Sequence, residues 1–175
     1  SDLIKMCDPE GRWGQLNFNN ITSLTMSKSK NAILYVDKKG NVRGEKKDRI
    51  QCRDNYKAHL AAAKSGDSSK KIHGKRCQVG ELVRDALGVQ RNVTSQDISD
   101  TINQQWESNK ANNKGLEGKS ICCVCDVSGS MECDGGLPLH NAIGLSIRIS
   151  ELVNENSGFK NRMLTFDSQP SWIQD

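Results

Sequence analysis

Apolar positions change period at one place in this chain. Residues Ile121 to Cys125 read ICCVC without interruption and stop at Asp126. A loop of Ser, Gly and acidic residues follows, and from Pro138 to about Asn154 apolar residues recur at helical spacing, at Ala142, Leu145, Ile149, Leu152 and Val153. A short continuous apolar run bounded by turn residues reads as a buried strand, and recurrence every three to four residues as a helix with one buried side. Pro138 suits the first helical position, where a missing N–H costs nothing, and Gly135-Gly136 before it permit φ values that side chains resist. A second strand is expected at Arg162–Phe166, a turn at Asp167–Pro170, and the opening of a third strand at Ser171–Gln174. A strand–helix–strand unit with a helical crossover implies parallel pairing.

Upstream the pattern is helical. Thr22 and Ser23 offer capping oxygens ahead of a helix expected over Leu24–Tyr35, and Gly40–Gly44 reads as a turn. Glu45–Lys64 places Ile50, Tyr56, Leu60 and Ala63 at helical spacing, and Ser65–Lys71 interrupts it. Val79, Leu82, Val83, Ala86 and Leu87 form the stripe of a further helix, with Gly88 expected as its C-terminal cap. Over Thr94–Glu107, Ser95 and Asp97 supply a cap, and Ile98, Ile102 and Trp106 one apolar edge. Lys110–Lys119, KANNKGLEGK, has linker composition. The expected organisation is therefore a basic, mainly helical region over 1–109, a linker over 110–119 and an α/β segment over 120–175.

Charge divides along the same line. Residues 1–119 carry 22 Lys and Arg against 14 Asp and Glu, and 120–175 carry 3 against 7, within an overall +4. Between Lys28 and Arg76, 15 basic residues face 5 acidic ones. Lys46, Lys47, Arg49, Arg53, Lys70, Lys71, Lys75 and Arg76 are the candidates for contact with a phosphate backbone. Tyr35 and Tyr56 are the only aromatics there, short of a base-stacking platform. No apolar run approaches the ~20 residues of a membrane span, and no basic-then-apolar leader is present, so no membrane partner is expected. Seven cysteines, three of them in one strand, point to free thiols and an intracellular location, cytoplasmic or nuclear.

The chemistry concentrates after the first strand. Asp126, Ser128 and Ser130 form D-x-S-x-S, one carboxylate and two hydroxyls at alternate positions of a turning backbone. These are hard oxygen donors of the kind Mg2+ or Mn2+ prefers. The loop sits past the carboxyl end of a strand and ahead of a helix, where open α/β sheets bind ligands. Zinc is the weaker expectation, at Cys122/Cys125 or among Cys52, His59, His73 and Cys77, because neither set has the spacing of a complete site. Catalysis by Ser128 lacks an evident base, His140 being the nearest in sequence, so no enzyme is expected.

Asp126-Val127-Ser128-Gly129-Ser130-Met131 resembles the metal-ion-dependent adhesion site of von Willebrand factor A-type domains. With Gly136-Leu137-Pro138-Leu139, Ala142–Leu145, Ser150–Leu152 and Leu164–Phe166, the arrangement is similar to an uncharacterised family of plants, fungi and large DNA viruses, domain of unknown function 2828, which has a helical N-terminal region. More distantly it resembles the Ro-type RNA-binding proteins. The resemblance implies the first part of a doubly wound, mainly parallel, Rossmann-like sheet, with the cation held by Asp126, Ser128 and Ser130. In that fold a Thr and a further Asp from later loops complete the ring, so these residues alone are expected to hold a cation weakly or not at all. Two functions are expected on this basis. One is a non-enzymatic interaction module whose cation bridges to a carboxylate of a protein partner. The other is an RNA-binding protein that uses the basic helical region, with the A-type part as scaffold.

Overall fold

The computed structural model describes residues 2–9, 11–91, 95–110, 115–116 and 118–174. The chain divides into two compact units, Ser1–Cys77 with Ala86–Asn109, and Gln78–Asp85 with Lys110–Asp175. Of the expected 110–119 linker, Lys110 closes a helix, while 111–114 and 117 lie outside the described residues.

In the first unit, α1 (Asp2–Cys7) and two 3-10 turns (Trp13–Gln15 and Phe18–Asn20) lead into α2 (Ser23–Ile33) and α3 (Lys47–Lys64). Thr22 caps α2, its hydroxyl accepting from the Thr25 amide at 3.4 Å. The helix stops two residues short of the expected Tyr35, which takes φ +55. Along α3 the residues Cys52, Tyr56, His59 and Leu60 are buried, an i, i+4, i+7, i+8 face. Asp48, in the first turn of α3, accepts the Trp13 and Gly14 amides at 3.2 and 2.9 Å and so ties that turn to the helix.

Arg49 departs from its expected role as a phosphate contact. It is 7% exposed, its guanidinium lies 3.6 Å from the Trp13 ring centroid and 4.8 Å from that of Tyr35, and it donates to Ala32 O at 2.6 Å and to Asp8 at 3.0 Å. An arginine gripped by two aromatic faces is a core residue here. Arg49→Ala is expected to cost about 3 kcal/mol, from a desolvated cation–π contact and a charged hydrogen bond. Arg49→Lys should recover little of it, because an ammonium lacks the planar fork. Urea unfolding followed by circular dichroism measures both, and wild-type midpoints in the two variants would remove this account.

α5 (Gln96–Lys110) buries Ile98 and Ile102 as the stripe predicts, and beside them Thr101, Gln105 and Asn109. Their hydrogen-bond donors are spent on backbone. Gln105 Nε2 donates to Ser23 O and His73 O, both at 3.1 Å, and Asn109 Nδ2 to Cys77 O at 3.0 Å and Gly74 O at 3.3 Å. Ser108 Oγ accepts from the Gly74 amide at 3.0 Å. The segment 73–77, which has no ladder of its own, satisfies its backbone on α5. Burial pushes the Cys52 thiol up to about 12 and raises that of Tyr56, whose hydroxyl pairs with Thr101 Oγ1 at 2.9 Å.

α4 (Val79–Arg91) does not end at Gly88: the glycine lies inside the helix, which continues three residues further. Gly88 does not take the left-handed φ that a glycine cap requires.

The second unit is mixed α/β. β1 (Cys123–Asp126), α6 (Cys133–Leu152), β2 (Arg162–Phe166) and β3 (Trp172–Gln174) form a three-stranded sheet in the order β1-β2-β3. β1 and β2 are parallel, with Cys123 opposite Met163 and Asp126 opposite Phe166, and β2 and β3 are antiparallel. The first strand begins two residues later than the apolar run and takes in Asp126. Cys123, Cys125 and Met163 form the core, with Ala142, Ile143, Ile147 and Ile149 of α6 packed on it. Leu145, expected on the buried side, is 50% exposed. Its place is taken by Ile143 and Ile147, because a helix of 3.6 residues per turn shifts its buried stripe over several turns. The start of α4 also packs on α6: Gly144 leaves room for Val83, whose Cγ2 would lie 3.1 Å from a Cβ there, and Gly80 does the same for Asn141. The opposite sheet face carries Val124, Phe166 and Trp172, each more than half exposed.

Candidate metal loop and basic loop

The parallel ladder fixes the start of the metal loop. Val127 N donates to Phe166 O at 3.0 Å, so the backbone is held one residue past β1, and a 3-10 turn over Gly129–Glu132 begins immediately after Ser128. Asp126 Oδ1 accepts the Ser128 amide at 2.9 Å, and the Ser128 and Ser130 hydroxyl oxygens lie 3.0 Å apart. Hydrogen bonds from the Ser128 hydroxyl and then its amide hold the Asp126 carboxyl below the usual carboxylate range. Asp126 is thus tied to the Ser128 backbone, and the Ser128 hydroxyl to that of Ser130.

This donor set fits a small hard cation. Two adjacent oxygens of an octahedron with metal–oxygen distances near 2.0–2.1 Å are separated by about 2.9 Å, which the Ser128–Ser130 separation of 3.0 Å matches. The hydroxyl protons would turn away and leave lone pairs to the metal.

Beyond the loop the backbone turns left-handed over Asp134 (φ 50), Gly135 (φ 67) and Gly136 (φ 77) before the regular part of α6, in keeping with the expected glycine turn ahead of Pro138. His140 packs over this turn: a Cβ on Gly136 would meet its Cε1 at 3.3 Å. Its Nδ1 is buried without a hydrogen-bond partner, whereas the Ser128 hydroxyl lies 3.0 Å from that of Ser130.

The soft-donor alternatives are differently engaged. His59 Nε2 meets Lys71 O at 3.1 Å and His73 Nε2 meets Asn19 O at 2.8 Å; since a carbonyl only accepts, both nitrogens carry the proton. Cys77 Sγ donates to Ser23 O at 3.8 Å. Among the described residues, no three His, Cys, Asp or Glu groups are clustered to hold a metal. All seven cysteines are free thiols.

Of the eight basic candidates, Lys46, Lys47, Lys70, Lys71, Lys75 and Arg76 are exposed, Arg53 is partly exposed and paired with Asp54 at 3.1 Å, and Arg49 is buried as described. Lys70, Lys71, Lys75 and Arg76 share the segment between α3 and α4, and Asn19 clamps it. The Asn19 side chain donates to Ser69 O at 2.9 Å and accepts from Lys71 N at 3.0 Å, and its carbonyl accepts from His73. Asn19, Gln105 and Asn109, which hold this loop in place, were not apparent from the sequence. The one available signal was the four-residue spacing of Thr101, Gln105 and Asn109 beside an apolar edge.

A family model described as a domain of unknown function (DUF7788) matches residues 120–174, the stretch that holds the sheet, the candidate metal loop and α6. No curated protein and no solved structure matches the chain significantly. No helix among the described residues is long and apolar enough to cross a membrane.

Proposed function

We propose that the second unit is the opening part of a von Willebrand A-type domain and serves as a non-enzymatic interaction module. Asp126, Ser128 and Ser130 would hold Mg2+ or Mn2+, and an acidic side chain of a protein partner would take one of the remaining coordination positions. The observation that carries this reading is a pair of hydroxyl oxygens, Ser128 and Ser130, 3.0 Å apart, next to the Asp126 carboxylate that accepts the Ser128 amide at the carboxyl end of a parallel strand. The strand–helix–strand order with a further antiparallel strand, and the exposed apolar face of the sheet, also fit a doubly wound fold that is completed elsewhere.

The test is a Mn2+ titration of the chain, followed by the loss of the free-ion electron paramagnetic resonance signal. Saturable one-site binding that Mg2+ and EDTA reverse is expected, with weak, roughly millimolar affinity. The pH dependence follows from the depressed Asp126 value. A carboxylate whose pKa is lowered by folding stays ionised below its usual range, so its loop hydrogen bonds and its cation affinity should hold at neutral and mildly acidic pH. Both are lost only as pH falls through the folded value. Absence of saturable binding in the wild-type chain would sink the proposal.

A second reading is favoured by one observation: Asn19 and α5 fix a segment carrying four exposed cations, Lys70, Lys71, Lys75 and Arg76. Such a loop is suited to RNA phosphates. Four contacts on a single strand would give a slope of about −3 in log K against log salt concentration, and a slope near zero for the whole chain would rule it out.

A further inference from the structure

In the first unit, between the 3-10 turns and α3, lies an open surface depression of about 560 Å³, of the volume, roughly 300–1,000 Å³, of small-molecule sites. We infer that it is a nucleotide site, in which the carboxamides of Gln15, Asn17 and Asn55 recognise the base edge and Lys70 holds the phosphate. Three features of the lining carry this. The carboxamides present N–H and C=O side by side, the arrangement that pairs with base edges. Asn17 uses its Oδ1 on the Asn19 amide at 3.1 Å, which leaves its NH2 to donate, and Asn55 uses one Nδ2 hydrogen on Gly14 O at 3.1 Å, which leaves its Oδ1 to accept. The lining thus keeps both donors and acceptors.

The apolar part of the wall is Leu16, Phe18 and Ala58, which suits the face of a planar ring. Phe18 is held rigid by an edge-on contact with Tyr56 at 5.1 Å and a tilted one with His59 at 5.5 Å. Among the described residues that line the cavity there is no carboxylate, and Lys70 supplies a cation, so an anionic ligand is favoured over a cationic or neutral one. Asn19 lines the cavity and also binds Ser69, Lys71 and His73, which fixes Lys70 relative to the amide wall. The inference goes beyond the phosphate-contact reading of the basic loop, because it assigns recognition of a base, and it shares only Lys70 and Asn19 with that reading.

The experiment uses the whole chain at low salt with AMP, CMP, GMP and UMP, inorganic phosphate, and ten-residue single-stranded RNAs of each base, by isothermal calorimetry. At least one mononucleotide should bind with a preference among bases. Ala58→Trp, on the exposed side of α3, should weaken it about tenfold or more by filling the cavity, with the far-ultraviolet spectrum unchanged. Gln15→Ala should change the order of preference among the four bases without altering the melting temperature. Replacing Lys75 and Arg76 by Gln should leave mononucleotide binding intact while weakening RNA, which separates this site from the loop. A decamer that binds far more tightly than its mononucleotide and is weakened by Ala58→Trp identifies an RNA strand as the source; equal affinities identify a free nucleotide. No binding of any mononucleotide, affinity unaltered in Ala58→Trp, or inorganic phosphate binding as tightly as the nucleotides overturns the inference.

Discussion

Gly74→Ala is expected to cost the helical unit about 4–5 kcal/mol, a large part of the ~5–15 kcal/mol that holds a domain together. A Cβ at this buried position would overlap the main-chain carbonyl of Gln105 on α5. No side-chain rotation relieves that contact, so either the 73–77 segment or α5 must move. Overpacking alone costs about 1–3 kcal/mol. Here the shift also breaks bonds that depend on the close approach: Gly74 N to Ser108 Oγ, Gln105 Nε2 to His73 O, and Asn109 Nδ2 to Gly74 O. Each such bond is worth about 1 kcal/mol net, more where a buried partner is stranded. Gly88→Ala is the matched control. That glycine is helical and has open space around it, so alanine should stabilise by about 0.5–1 kcal/mol. Urea midpoints that move in opposite directions bear out the argument; a Gly74→Ala midpoint equal to wild type would show that α5 does not meet the loop as described.

The contrast between these two glycines shows what was legible in the sequence. Gly88 followed an apolar stripe and looked like a helix stop, whereas Gly74 sat in an unpatterned basic stretch. What decides Gly74 is a contact with α5, distant in sequence, which local spacing does not encode, whereas Gly88 simply lies inside a helix that runs on past it. Period did reveal the elements whose burial is one-sided: the run ending at Asp126, the helix after Pro138 and the parallel return at Arg162–Phe166 follow from alternation and helical recurrence. Within that helix the period overreached, since Leu145 faces outward while Ile147 packs on Cys123 and Cys125.

Charge was the less reliable guide. Arg49 counts toward a basic surface in any sequence tally, yet Trp13 and Tyr35 sandwich it, and two aromatic partners 36 and 14 positions away leave no local mark. Gln105 and Asn109 likewise read as the wet side of an amphipathic helix. They are buried because their carboxamides donate to backbone carbonyls of the 73–77 segment and of Ser23. The candidate metal loop was easier to read, because its three donors lie within five residues and the turn that gathers them is local.

That locality makes the effect of Asp126 large and separable. Asp126→Asn should abolish Mn2+ binding by the chain, a loss beyond the ~10–100-fold that changes in the outer shell of a metal site produce. The reason is charge: among Asp126, Ser128 and Ser130 only the aspartate is anionic, and two neutral hydroxyls cannot compensate a divalent ion alone. Asparagine keeps an oxygen for the Ser128 amide, now 2.9 Å from Oδ1, so the turn after β1 and the melting temperature should be nearly preserved. Ser128→Ala and Ser130→Ala each remove a neutral donor and should weaken binding more modestly. Ser128→Ala should also move the Asp126 carboxyl back toward the ordinary range, since the Ser128 hydroxyl is the largest influence holding it down. Carbon-13 NMR of the Asp126 carboxyl against pH reads that shift directly, without metal. If Mn2+ binding survives Asp126→Asn, the ion sits elsewhere; if the carboxyl titrates unchanged in Ser128→Ala, the Ser128 hydroxyl does not act on the Asp126 carboxyl.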